Sequence, residues 1–398
     1  MPAMESLLTV LAGLSSPQLG ALVFTIGHAL FFGLAALSLL ATRTFEREPE
    51  PPTPDRWPRL SVVVAARDEA EHLEAAALTL LAQDYPGLEL VLVNDRSTDG
   101  TGGIVDRLAA ADPRVKAVHI EAVPPGWLGK VNAHRAGTET ASGEWILYTD
   151  ADVRYAPGTL KRSVALALER DLDHLALLGR SDTRQFWLDV VFRAFDVGFV
   201  MITRAAALRR GGSATGTGGF GLVRRAALDR TPGFEYLRME VADDVALARM
   251  LEAHGGRHAF FTAFGHLTIP WYPSLQAMAR GLEKNFFAAA HYSAARLLLS
   301  VGLVWAVLPA PWLALGAGPF WLQVLGGAAL MPALAASLLL WLKFRHRLLP
   351  AACLPVGFFL MFWMQLRAGL LCLWRGGVSW RGTFHPLPDL RAGQRVKW

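Results

Sequence analysis

Asp150-Ala151-Asp152 closes the apolar run Trp145-Ile-Leu-Tyr-Thr149. A strand that delivers two carboxylates, one residue apart, to its carboxyl end offers hard oxygen ligands to a divalent cation and a phosphate-bearing substrate. Alone, the pair reads as a strand-end turn with two solvated acids. Two more polar clusters follow apolar runs in the same way: Arg67-Asp68-Glu69 after Leu60 to Ala66, and Asn94-Asp95-Arg96-Ser97 after Leu88. In open α/β sheets ligands bind outside the carboxyl ends of the strands, so three clusters on one rim make a site.

The elements that must hold these clusters alternate. Strand patterns cover Leu60 to Ala66, Leu88 to Asn94, Val115 to Ile120, Trp145 to Thr149 and His174 to Leu178. Helical patterns fill the gaps, at Glu69 to Gln83, Gly100 to Ala111, Lys130 to Thr140 and Pro157 to Arg170. Short buried strands alternating with helices predict an α/β domain with a mainly parallel sheet covered on both faces.

The 398 residues are 53% apolar with a net charge of +5, but the apolar excess is uneven. Ala21 to Ala41 is long enough to cross a bilayer. A cleaved signal peptide is the competing reading, yet only Glu5 precedes this run as a charge, whereas Arg43 and Arg47 follow it. The positive-inside bias then puts the following domain in the cytoplasm. No charged residue occurs from Leu297 to Leu342, enough for two spans broken near Pro309-Ala-Pro311 or Gly316 to Pro319. A basic loop, Lys343 to Arg347, and a further run, Leu348 to Leu366, lead into a basic tail. If that last run crosses, the tail lies outside against the charge bias, so one segment re-enters, lies flat or fails to cross. The organisation expected is a membrane anchor at 1–45, a Pro-rich linker at 46–58, a cytoplasmic catalytic domain at 59–273, an interfacial amphipathic helix at 274–296, membrane segments at 297–374 and a basic tail at 375–398. The basic residues cluster near membrane flanks, which favours lipid headgroups or phosphate substrates over nucleic acid. Cys353 and Cys372 have no metal-site spacing and read as buried apolar side chains.

Five segments, in order, resemble the family 2 glycosyltransferases of the GT-A fold: Ser61 to Glu69, Val93 to Thr101, Gly126-Trp-Leu-Gly-Lys130, Tyr148 to Val153 and Asp243 to Ala248. The membrane-flanked layout is most similar to the branch that glycosylates hopanoids, carotenoids, ceramides or polyprenyl phosphates. The resemblance implies a nucleotide-sugar donor, a lipid or membrane-bound acceptor, and Mg²⁺ or Mn²⁺. It assigns Ala65, Arg67 and Glu69 to the nucleotide pocket, Asp95 to the donor's base, and Asp150 and Asp152 to metal and sugar, with Asp152 nearer the metal. Lys130 is matched to the diphosphate, Asp243 to donor binding, and Asp244 to the base that deprotonates the acceptor. Three of these have simpler readings: Asp95 as a helix N-cap helped by Ser97 and Asp99, Glu69 as a first-turn carboxylate, Lys130 as a solvated lysine. Either acid of the Asp243-Asp244 pair can be the base, since adjacent residues on a helix point about 100° apart.

Processive members carry Gln-x-x-Arg-Trp near the domain's end. Here Gln276 stands four residues before Arg280 and Gly281 replaces the tryptophan, which argues for single transfer with Arg280 assisting catalysis. A processive polysaccharide synthase, a nucleotidyltransferase and a non-catalytic sugar-nucleotide-binding membrane protein are the rivals. Gly216-Thr-Gly-Gly-Phe-Gly221 matches the dinucleotide glycine fingerprint but follows a helical stretch, so it reads as a loop beside donor or acceptor. His266 is a further candidate metal ligand, with a structural histidine as the plainer reading.

Overall fold

The computed structural model describes residues 14–210 and 214–395, and for 205–210 the backbone only. The chain divides into two compact units, one from Thr42–Arg184, Thr203–Tyr292 and Leu370–Trp398, the other from Met1–Ala41, Gln185–Ile202 and Ser293–Gly369.

The first unit is built on strands β1 (Leu60–Ala66), β2 (Leu88–Asp95), β3 (Val115–Ile120), β4 (Trp145–Asp150), β5 (Arg154–Tyr155), β6 (His174–Leu178), β7 (Arg180–Ser181), β8 (Gly221–Arg224), β9 (His258–Thr262), β10 (Leu267–Ile269), β11 (Gly377–Trp380) and β12 (Thr383–Pro386). Among the described residues, seven form the central sheet in the order β3-β2-β1-β4-β8-β6-β9. β1 runs parallel to β2 and β4, β2 to β3, and β6 to β9; β8 is antiparallel to both neighbours. Val62, Val64, Leu90, Leu92 and Leu147 sit in one layer of the core and are buried on it by the helices Leu73–Leu81 and Thr101–Ala111. Both faces of the sheet being covered, these strands read as continuous apolar runs rather than alternations. The expected mainly parallel sheet is present, and its antiparallel member is β8, which follows Gly216, Gly218 and Gly219.

At the amino ends of the strands, away from the site, Glu89 is a buried hub. It accepts from Ser61 Oγ (2.9 Å), Ser142 N (2.9 Å) and Ser142 Oγ (2.6 Å), and pairs with Arg59 (3.1 Å) and Lys116 (2.9 Å). Burial disfavours its charge, but these donors outweigh that and hold the carboxyl down at about 2.

The second unit is helical. Among the described residues, four helices are long and apolar enough to cross a membrane: Ser16–Ala41, Ala294–Ala317, Phe320–Leu342 and Leu354–Arg375. They mark the chain as a membrane protein. The second is interrupted before Pro309 and resumes at Ala310, and Pro319 separates it from the third. Lys343 Nζ donates to the carbonyls of Leu39 (2.8 Å) and Leu40 (2.7 Å), so the first and third helices end at one level. His28 Nδ1 lies 3.3 Å from the Val307 carbonyl oxygen, half-way along the first helix. Phe358, near the start of the last helix, stacks edge-on against Phe31 (5.0 Å) and Phe32 (5.9 Å). Those phenylalanines lie about ten residues, roughly 15 Å, before the first helix ends. The last helix therefore starts part-way along the bundle.

Two segments fall outside the expected organisation. Residues 185–202, read as catalytic domain from the sequence, belong to the helical unit. There Arg193, almost wholly buried, pairs with Asp189 (3.1 Å) and Asp196 (2.9 Å), and its Nη1 lies 2.5 Å from His346 Nδ1. Residues 370–398, read as the end of the membrane region plus a tail, belong to the sheet unit.

Candidate active site

The cleft lies at the carboxyl ends of β1, β2 and β4 and has a volume of about 820 Å³. After β1 the chain turns through Asp68, whose φ of +53° is the left-handed region. The turn is held by the β2 loop: Ser97 Oγ accepts from Asp68 N (3.0 Å), Thr101 Oγ1 from Glu69 N (2.8 Å), and Asp68 Oδ1 from Thr98 N (2.7 Å). Ala65, Arg67 and Glu69 thereby line the cleft.

Asp95 ends β2 and also lines the cleft, almost fully buried, with Arg96 donating Nε to it at 2.8 Å. It is not the cap of the next helix. The cap position is Gly100, and Asp99 just before it accepts from Thr101 N at 2.9 Å. Gly129 opens the helix Gly129–Thr140 directly against Asp95; a Cβ there would collide with Asp95 Oδ2. The second glycine of Gly-Trp-Leu-Gly-Lys is therefore a requirement of close approach.

Lys130 differs from expectation. Its Nζ is 2.8 Å from Asp150 Oδ1 and 3.8 Å from Asp243 Oδ1. Burial works against its charge, but Asp150, Asp243 and Asp244 more than offset this and raise its pKa. Asp150 is correspondingly lowered, against its own burial. The lysine lines the cleft and there bridges acids.

Asp152 stands apart from that bridge. Burial first, then the charges of Asp150 and Glu69, push its carboxyl up to about 7. Three carboxylates are crowded there, and hard oxygens suit Mg²⁺ or Mn²⁺. Among the described residues no cluster of three His, Cys, Asp or Glu side chains is arranged to hold an ion by itself. The donor set thus fits a cation that takes its remaining oxygens from substrate and water, as Mg²⁺ commonly does.

Asp243 and Asp244 begin the helix Asp243–Ala253 and are not among the residues lining the cleft. Asp243 lies one layer behind it, against Lys130 and 3.4 Å from His134 Nδ1. Asp244 accepts from Val245 N at 2.8 Å. Burial, then its neighbour Asp243, raises its carboxyl to about 7. The Gly216 to Gly221 segment runs between the two acid groups: a Cβ at Gly218 would come 2.5 Å from Asp150 Oδ2, and one at Gly216 would strike the Asp244 carbonyl. The fingerprint look-alike is thus a stretch where the backbone must approach acids closely.

Arg280 lines the cleft. Gly281, where processive enzymes have tryptophan, packs against the Tyr272 ring with no room for a Cβ. Trp271 and Tyr272 line the cleft instead, so aromatic surface is present but comes from the preceding loop. His266 is elsewhere: its Nδ1 is 3.1 Å from Thr159 Oγ1 and its ring stands edge-on to Phe45. Sequence reasoning missed Lys284, Trp380, Arg381 and His385, all of which line the cleft. The basic tail was their signal, but nothing local says where a tail folds back.

Residues 61–231 match the family model for Glycosyl transferase family 2. The succinoglycan biosynthesis protein ExoO of Rhizobium meliloti is 33% identical over 138 residues, which is 33% of this chain and 38% of that protein. The GalNAc(5)-diNAcBac-PP-undecaprenol beta-1,3-glucosyltransferase of Campylobacter jejuni is 31% identical over 112 residues, 28% of this chain and 35% of the relative. The chain spans less than two fifths of the length of these curated relatives. Among solved structures, the mannosyltransferase PcManGT of Pyrobaculum calidifontis, in complex with GDP-Man and Mn²⁺, superposes with a TM-score of 0.53 at 21% identity, covering 89% of this chain and 98% of that one. With its matched span and its mainly parallel sheet, this α/β domain has the GT-A fold, and residues 61–231 carry a Glycosyl transferase family 2 domain.

Proposed function

We propose that the protein transfers one sugar, with inversion, from a nucleotide-sugar to a hydroxyl or phosphate on a membrane-associated lipid. One observation carries this reading. Asp95, Asp150 and Asp152 line a single cleft, and Lys130 ties Asp150 to the Asp243-Asp244 pair behind it. Acids from β2 and β4 thus line one space, and an acid pair from a helix beyond β8 stands behind it, joined through Lys130.

In this reading Asp95 receives the donor's base, and Ala65, Arg67 and Glu69 line its pocket. Asp152 and Asp150 hold Mg²⁺ or Mn²⁺, which supplies positive charge for the leaving diphosphate. Asp244 takes the proton from the acceptor hydroxyl as that oxygen bonds to the anomeric carbon and the nucleoside diphosphate departs. A carboxyl near 7 suits that task better than Asp243, whose charge is already engaged by Lys130 and His134. A UDP-hexose is the expected donor. The GDP-Man of the Pyrobaculum enzyme makes GDP-sugars the second choice.

Basic residues support a cytoplasmic catalytic domain. Arg43 and Arg47 follow the first helix, and Lys343, Arg345 and Arg347 follow the third, whose ends are level. The last helix begins part-way along the bundle and leads into the sheet unit. In this reading residues 344–369 enter and return on one side, and the basic tail then lies on the side the charge bias favours.

Membranes holding the protein, incubated with radiolabelled UDP- and GDP-sugars and extracted for lipid, test the proposal. Label in a lipid fraction, lost in Asp244→Asn, is expected. Label confined to high polymer would replace it with a polysaccharide synthase.

A further inference from the structure

We propose that the β11–β12 hairpin is part of the donor site, with Arg381 and Lys284 binding the diphosphate of the nucleotide-sugar and Trp380 positioning Lys284. This rests on the transferase reading above.

A bound diphosphate needs cations at the cleft. Lys130, the lysine that sequence reasoning gave this role, is held by Asp150 and Asp243. Other cations line the cleft too, and Arg381 with His385 arrives from the residues after 370. Residues of β11 and β12 form one side of the cleft, and Arg381 stands at the tip between them.

Arg381 occupies an unusual place. It and Gly382 are the two central residues of a tight hairpin, at φ +47° and +76°, where asparagine and glycine are the favoured residues. A long cationic side chain in left-handed backbone costs free energy, and such outliers concentrate at ligand sites. Asp68 and Arg96, the turn residues after β1 and β2, share that conformation beside the same cleft. The Arg381 guanidinium reaches back to an ion pair with Glu69, at the end of β1. That contact closes the hairpin over the rim where the donor phosphates must lie. Because Arg381 reaches the carboxylates from outside, an entering diphosphate can exchange for Glu69 as its partner.

Lys284 is held differently. Its Nζ lies 3.8 Å from the centre of the Trp380 ring, a cation–π contact that gains strength away from water. Burial lowers Lys284 to about 8, while the ring and the nearby Asp243, Asp150 and Asp244 favour its charged form. Glu283, beside it in the chain, pairs with Arg375 at 3.1 Å. An anion in the cleft would favour the ammonium further.

Equilibrium binding on the full chain in detergent, without turnover, tests this. The probes are UDP and GDP with Mg²⁺, and the corresponding nucleosides without phosphate. Arg381→Gln, Lys284→Gln and Trp380→Ala should each weaken the bound nucleoside diphosphate about tenfold or more, as loss of a charge-assisted contact does, and leave nucleoside affinity unchanged. Arg381→Lys should recover part of the loss, and thermal melting should stay at the wild-type value. Unchanged diphosphate affinity, or equal loss for nucleoside and diphosphate, would overturn the hairpin's role. A wild-type chain that binds neither UDP nor GDP would instead remove the transferase reading beneath it.

Discussion

Asp243 and Asp244 are chemically identical in sequence, and their surroundings separate them. Asp243 sits against Lys130 and His134, while Asp244, more weakly compensated, has its carboxyl raised to about 7. Asp244→Asn is therefore expected to lower turnover by at least a hundredfold while leaving donor affinity nearly unchanged. Asp243→Asn should instead loosen Lys130 and raise the donor Kd, and equilibrium binding beside turnover distinguishes the two. The base works only when ionised, and so does Asp152 as a cation ligand, so turnover should climb as pH rises through about 7. Site residues carried by short motifs were legible because a strand end and the few residues after it fix their own backbone. Lys130 shows the boundary: its position was readable, but its partner Asp243 lies over a hundred residues away.

The strands and helices that present these residues were readable from periodicity, down to the ends of β1, β3 and β6. What periodicity missed was the packing that joins them. Gly129→Ala should weaken donor binding, since its Cβ must displace the Asp95 carboxylate; a titration with nucleoside diphosphate checks this. Glu89 tests the opposite end of the sheet. Glu89→Ala removes a buried acceptor shared by Ser61, Ser142 and Lys116, and should cost about 2 kcal/mol in unfolding free energy without changing donor affinity. The depressed carboxyl of Glu89 makes its contribution complete above the unfolded pKa of about 4.3 and progressively lost as pH falls toward about 2. Wild type and variant should accordingly converge in stability at the acidic end of that window.

Across the whole chain, the sequence left a contradiction: a basic tail on the wrong side of the membrane if every apolar run crosses. The proposed re-entrant path would resolve it, given level ends of the first and third helices and a last helix that begins beside Phe31 and Phe32. With Cys353 and Cys372 replaced by alanine, an impermeant thiol reagent should label Ala317→Cys from the outside and Asp389→Cys only after the cytoplasmic face is opened. Labelling of both from one side would reject the re-entrant path. By itself the sequence determined the α/β domain, the rim of acids and the apolar helices, because short-range spacing and burial pattern encode each of them. Only the tertiary structure decided that Lys130 bridges acids, that 185–202 joins the helical unit, and that the tail returns to wall the cleft. Those outcomes depend on contacts between residues far apart in the chain, where ion pairing and close packing choose partners that no local pattern names.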